Sequence, residues 1–219
     1  MEETTNLLPL LSAEELRVLG SLLEKSKTTP EYYPMTLNAL QTACNQKTSR
    51  RPVVSYDEHT IIDALDTLRK RGLVSTVIGG GSRVTKYKHN LAIQYPLIPQ
   101  DLAVLCLLIL RGPLTPGELN TNAGRLFDFE SLQEVQDVLN RLHGQEPPFV
   151  KPLTKRPGQK EVRYAHLLGD VNEDDFDIPA SVENEAPNRI QELETRVATL
   201  EEELATLRQE FDTLMQQLT

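Results

Sequence analysis

Residues 34–89 read PMTLNALQTACNQKTSRRPVVSYDEHTIIDALDTLRKRGLVSTVIGGGSRVTKYKH. Hydrophobic spacing divides this stretch into helix, long connection, helix, strand, glycine turn and strand. Thr36, Leu37, Leu40 and Cys44 mark a short helix. Ser55-Tyr-Asp-Glu58 has the spacing of a capping box, and Ile61, Ile62, Leu65 and Leu68 follow as one apolar stripe until Gly72 stops the helix. Leu73–Ile78 and Val84–His89 alternate as strands around Gly79-Gly-Gly81. The triple glycine precedes a strand, not a helix, so it reads as a hairpin turn and not as a phosphate cradle. This order is that of a winged helix-turn-helix whose candidate recognition helix starts at Ser55. One feature departs from the usual pattern: the connection from Asn45 to Val54 has ten residues, where about three or four are common.

Upstream, Ser12 and Glu15 form a capping box, and Leu16, Leu19, Leu22 and Leu23 continue at helical spacing to near Ser26. Thr28–Pro34 carries two prolines and excludes helix. Downstream, Ala92–Pro99 reads as a linker, and from Asp101 the layout recurs. Leu102, Leu105 and Ile109 repeat the first helix, and Thr115 caps a short second one that opens on Pro116. Glu130–Leu142 forms the third, with Leu132, Val135, Val138, Leu139 and Leu142 inward. Phe149–Leu153 and Glu161–Leu167 flank a turn at Arg156-Pro-Gly-Gln159. Asp63-Ala-Leu-Asp-Thr-Leu68 falls over Asp137-Val-Leu-Asn-Arg-Leu142, and Lys86-Tyr-Lys-His89 over Arg163-Tyr-Ala-His166. The equivalent strand positions of His89 and His166 indicate a structural role for both.

The tail carries the most specific pattern in the chain. Ile190, Leu193, Val197, Leu200, Leu204, Leu207, Phe211, Leu214 and Leu218 alternate in steps of three and four. Leu fills every d position, Ile190 and Val197 fill the first two a positions, and Arg189–Glu194′, Arg196–Glu201′ and Glu203–Arg208′ are attractive g-to-e′ pairs. That combination favours a parallel two-stranded coiled coil about 45 Å long. Phe211 at an a position fits the alternative of a helix folded back on the body. The expected fold class is therefore α+β, mainly α: tandem winged helix-turn-helix domains followed by a C-terminal coiled-coil helix. The expected divisions are 1–91 and 101–169 for the two domains, 92–100 for the linker between them, 170–187 for an acidic linker and 188–219 for the coiled coil.

The 219 residues carry a net charge of −9, unevenly spread. Residues 12–90 hold 12 basic against 8 acidic side chains, 91–169 hold 8 against 8, and 170–219 hold 3 against 14. The acidity belongs to the tail, and the first domain is mildly basic. No Trp and 5% aromatics leave the cores to aliphatic residues. The N-terminus lacks the basic residue of a signal peptide, and no apolar run approaches the ~18 residues of a membrane span, so a cytoplasmic protein is expected. Cys44 and Cys106, inside helical patterns, read as reduced core cysteines.

His59, His89, His143 and His166 lie outside metal-ligand spacing, and no Ser or Cys has a nucleophile-elbow context. These patterns point to a non-enzyme with no metal or cofactor. The candidate DNA contacts are cations: Lys47, Arg50 and Arg51 in the long loop, Arg69, Lys70 and Arg71 at the helix end, and Arg83, Lys86 and Lys88 in the wing. His59 and Thr60 would approach base edges. The same helix face should expose Asp63, Asp66 and Thr67, and the two aspartates oppose phosphates. In the second copy the third helix exposes Gln133, Glu134, Asp137 and Arg141, a poor groove reader, while Lys151, Lys155, Arg156, Lys160 and Arg163 make a more basic wing.

EYYP at 31–34 together with TLNALQTACNQKTSRRPVVSYDEHTIIDALDTLRKRGLV at 36–74 resembles the YceH-like family of uncharacterised bacterial proteins. The ACNQK and RPVVSYDE segments are specific, and the resemblance extends over roughly residues 10–168. It implies tandem winged helices; no defined activity comes with it. Two functions compete. The first is a DNA-binding, transcription-regulator-like protein that presents the first winged helix to duplex DNA and self-associates through the tail. The second is a non-enzymatic scaffold of tandem winged helices that grips a protein partner, by analogy of fold.

Overall fold

A computed structural model describes residues 8–78, 84–155 and 161–170. About half of these residues are helical, and the strands form two small antiparallel sheets.

Helix α1 spans Ala13–Thr28, two residues past the expected end. Its capping box is complete: the Glu15 amide donates to Ser12 Oγ at 3.2 Å and the Ser12 amide to Glu15 Oε2 at 2.8 Å. A 3-10 turn at Pro30–Tyr32 leads into β1 (Met35–Thr36), and Thr36 caps α2 (Leu37–Cys44) through a bond from the Ala39 amide at 3.3 Å. Helix α3 (Glu58–Lys70) starts on Asp57, not on Ser55 as the sequence suggests. The reason lies in Asn45. Its side-chain oxygen accepts from the Tyr56 amide and its side-chain amide donates to the Tyr56 carbonyl, both at 2.8 Å, so Tyr56 stays outside the helix. The Asp57 carboxylate then accepts from the Thr60 amide and hydroxyl, which holds it below the usual carboxylate range. Ile61, Ala64, Leu65 and Leu68 point inward, but Ile62 is 37% exposed, at the edge of the stripe. Gly72, at φ +73°, ends the helix and turns the chain into β2.

β2 (Val74–Ile78) and β3 (Thr85–His89) pair antiparallel, with β1 on the other side of β3. The same order follows again. After a single turn of helix, α4 (Leu91–Gln94), come α5 (Pro99–Arg111), α6 (Pro116–Ala123), α7 (Leu132–His143), β4 (Val150–Pro152) and β5 (Tyr164–His166). The segment expected as a bare linker thus contains α4 and the first turn of α5. Ser131 caps α7, which starts two residues later than expected, and Leu132, in its first turn, is 49% exposed instead of inward. The register repeats too: Val74 lies opposite His89, and Val150 opposite His166. Both imidazoles are shielded, and neither Nδ1 has a hydrogen-bond partner among the described residues. Burial, aided at His89 by the charge of Lys27, pushes each down to about 4.

The two halves bury one continuous core. Helix α5 is buried along its whole length from Asp101 to Leu110 and packs against α1. The helices come close together at Gly20, where an added Cβ would lie 2.8 Å from both Ile109 Cγ2 and Leu110 Cδ2. Cys106 Sγ donates to the Gly20 carbonyl at 3.6 Å. Cys44 and Cys106 are free thiols in this core, as their helical settings indicate; burial raises both, Cys44 to about 11. The Leu11 amide donates to the Leu168 carbonyl at 2.8 Å, tying the start of the first half to the end of the second. Residues 171–219, including the predicted coiled-coil positions, lie outside the described residues, as do Gly79–Arg83 and 156–160.

Two outcomes follow from this packing. Gly20→Val should lose about 1–3 kcal/mol in denaturant unfolding, because the new methyls meet side chains of α5 with no room to yield. For the histidines, a folded-state pKa below the unfolded 6.5 means that the neutral form is favoured in the fold. Their contribution is complete above pH 6.5 and is lost as pH falls toward 4, on the order of 3 kcal/mol each. Unfolding free energies measured between pH 7 and 4 should therefore fall steeply, and a His89→Gln/His166→Gln variant should show a shallower slope; equal slopes would contradict this account.

Candidate nucleic-acid interface

The outward face of α3 carries the side chains expected there, yet their polar atoms are engaged with one another. His59 Nδ1 lies 2.8 Å from Asp63 Oδ2, one turn on. The Thr60 hydroxyl donates to the Asp57 carboxylate at 2.7 Å. Arg69 pairs with Asp66 at 3.3 Å. Arg71 donates to the Leu10 carbonyl at 2.8 Å, so it anchors the segment before α1. Lys70 is exposed at the helix end. Between α3 and the start of α1 runs a groove of about 560 Å³ lined by Glu14, Thr60, Asp63, Thr67 and Arg71. Its rim is more acidic than basic.

The hairpin supplies a cleaner positive surface. In β3, Lys86 and Lys88 alternate with Tyr87 and His89. Met35, Tyr87 and His89 occupy the face turned to the helices, where Tyr87 packs against the core. Lys86 and Lys88 share the opposite face, with Val77 and Ser75 beside them in register. Arg83 lies outside the described residues.

The long loop corrects the sequence reading at one position. Arg50 was expected among the phosphate contacts, but it is 4% exposed. Its guanidinium meets both oxygens of Glu24, at 3.0 and 2.6 Å, and donates to the carbonyls of Ala43 and Ser49 and to Gln46 Oε1. Burial pushes the Glu24 carboxyl up, but the bonds and charge of Arg50, with Lys25 behind, outweigh it and hold the group below its ordinary value. Nothing of Arg50 is left to offer a phosphate. Arg51 is half-buried, and its amide donates to the Leu110 carbonyl at 2.8 Å. Of the three loop cations, Lys47 alone is exposed.

In the second half two of the expected cations are committed as well. Arg141 reaches Asp101 at 2.6 Å and Arg163 grips Glu118 through two bonds of 2.6 and 2.8 Å. Asp101, Glu118, Glu24 and the buried Arg17, which donates to the Cys44 and Pro52 carbonyls, are the residues sequence reasoning passed over. Their signal is weak: Glu118 and Asp101 each stand three residues after a helix N-cap, as capping-box residues do. Among the described residues, no group of three or more His, Cys, Asp or Glu side chains could hold a metal ion. No described helix is long and apolar enough to cross a membrane.

The pattern that defines a family described as "Protein of unknown function, DUF480" matches residues 11–159. A "UPF0502 protein" of Opitutus terrae is 52% identical over 163 residues, covering 74% of this chain and 71% of that protein. One of Shewanella pealeana is 49% identical over 166 residues, with 74% and 77% covered. One of Pelobacter propionicus is 47% identical over 192 residues, with 84% and 87% covered. These matches agree with the resemblance found in the ACNQK and RPVVSYDE segments.

The contrast within the loop is measurable. Arg50→Ala leaves a largely shielded carboxylate without its main partner and should cost about 3–5 kcal/mol, whereas Lys47→Ala should stay within about 0.5 kcal/mol of the parent. Urea midpoints of the two variants, compared with the parent, decide the point.

Proposed function

The chain belongs to the DUF480 family, and from that premise we propose that it is a non-enzymatic, cytoplasmic, transcription-regulator-like protein of tandem winged helices that binds duplex DNA mainly through the sugar-phosphate backbone. The observation that carries this reading is the pairing of Lys86 and Lys88 on the outward face of the first hairpin. Lys47 and Lys70 add exposed charge nearby in sequence terms, at the loop and at the end of α3. The expected base readers, His59 and Thr60, have polar atoms held by Asp63 and Asp57, so direct readout is weak. The heptads of residues 190–218 support a parallel coiled-coil dimer, which would bring two such hairpins to one duplex.

Fluorescence anisotropy on random duplexes tests the proposal. Four backbone contacts give a log–log salt slope of about −3 to −4. Lys86→Glu/Lys88→Glu should abolish binding, and different sequences should bind within a few-fold of one another. Absence of binding at low salt overturns the reading. Leu200→Asp/Leu207→Asp should turn a dimer into a monomer in sedimentation equilibrium; a monomeric parent chain sinks the paired arrangement.

A second reading, a scaffold for a protein partner, is favoured by the acidic groove beside α3, where Glu14 and Asp63 face a space suited to a basic helix. Asp63→Lys/Asp66→Lys separates the two. It tightens DNA binding if α3 faces the duplex, and it releases a stoichiometric protein partner if the groove is the docking surface.

A further inference from the structure

We propose that the polar cleft between the two halves is a binding site for a small oxyanion, phosphoryl or carboxylate, distinct from the surface assigned to DNA. The cleft has a volume of about 200 Å³ and lies where the end of α1, the long loop and the ends of α5 and α6 meet. It is smaller than the ~300 Å³ lower end of sites for drug-sized ligands, so it suits a compact anion better than a nucleotide.

Its wall is cationic. Lys25 lies 3.1 Å from Glu24 Oε2 and donates to Gln46 Oε1 at 3.2 Å. Glu24 is the only carboxylate in the lining, and Arg50 already holds both of its oxygens from behind. Lys25 and Arg50 therefore share one negative charge. Arg125 lines the same space, is exposed, and makes no hydrogen bond or ion pair with the described residues. These four side chains alone leave two positive charges in excess. An incoming oxyanion would supply the charge that Arg125 lacks and would meet the planar donor fork suited to carboxylate and phosphate.

Neutral donors complete the wall. Thr48, Ser49 and Asn122 line it, and the Asn122 amide gives one of its two protons to the Glu118 carbonyl at 2.7 Å. Among the described residues Ser49 is the non-glycine residue with a left-handed backbone, φ +59°. Arg111 fixes this corner by donating to Ser49 Oγ at 2.8 Å and to Asn122 Oδ1 at 2.7 Å. The Ser49 hydroxyl is thus positioned by the fold before any ligand arrives.

Isothermal titration calorimetry of the full chain with inorganic phosphate, and separately with succinate, at constant ionic strength tests the proposal. One saturable site per chain is expected for at least one of the two; tighter phosphate binding assigns a phosphoryl ligand, tighter succinate binding a carboxylate. Arg125→Ala should weaken that binding about tenfold or more, the loss expected for one charge-assisted bond. Its exposure keeps the fold intact, and an unchanged thermal midpoint without ligand verifies this. Lys155→Ala, an exposed cation of the second hairpin outside the cleft lining, should leave it unchanged. No saturable binding of either anion, or equal binding by the parent and Arg125→Ala, overturns the proposal.

Discussion

At Gly20 the backbone of α1 comes so close to Ile109 and Leu110 that even one methyl group has no space. That approach makes α5 the shared wall of both halves, and it explains why Asp101–Leu110 is buried on every side and not along one stripe. A helix buried all round must be apolar all round, which is how LAVLCLLIL reads. Each half on its own would leave a long apolar surface in water, so the repeated units are fused through their first helices. Their outward faces are correspondingly held in fixed relation within this unit.

The long loop between α2 and α3 follows from the same constraint. A short turn would join the two helices but would leave the side of α1 that borders α5 unsealed. The extra residues carry Arg50 into that space. A buried arginine is tolerated only when its donors are met, and here each guanidinium nitrogen has an oxygen partner. The Arg51 amide and the Ser49 hydroxyl then bond to α5, through Leu110 and Arg111. The loop thus fastens the first half to the second, and the sequence-distant cleft beside it is a by-product of that fastening.

Local signals in the sequence were easy to read. Caps at Ser12 and Thr115, the stop at Gly72 and the paired strand positions of His89 and His166 depend on neighbours a few residues away. What escaped depends on distant partners. Ser55 and Asp57 are equally good caps, and Asn45, ten or more residues earlier, decides between them. Lys47, Arg50 and Arg51 are one basic cluster by composition, yet Glu24 draws Arg50 inside while Lys47 stays out. Arg141 and Arg163 likewise lose their surface charge to Asp101 and Glu118, which lie 40 and 45 residues away. A count of cations overestimates an interface whenever such pairs exist.

The two copies consequently differ in what they can offer a polyanion. In the first hairpin, the lysines stand on the face opposite the core, and their positions in the register leave Ser75 and Val77 as neighbours, with no acid opposite. In the second, the equivalent of Lys86 is Arg163, and it is clamped by the capping glutamate of α6. A clamped arginine gives its donors to one carboxylate and presents little net charge outward, while a half-buried lysine opposite a serine has no carboxylate across the strand to neutralise it. Screening in physiological salt limits each charge to roughly 8 Å, so only cations that sit on the same face and lack acidic neighbours act together on a phosphate chain. By that criterion Lys86 and Lys88, on one face of the first hairpin, can act together, whereas Arg163 spends its donors on Glu118.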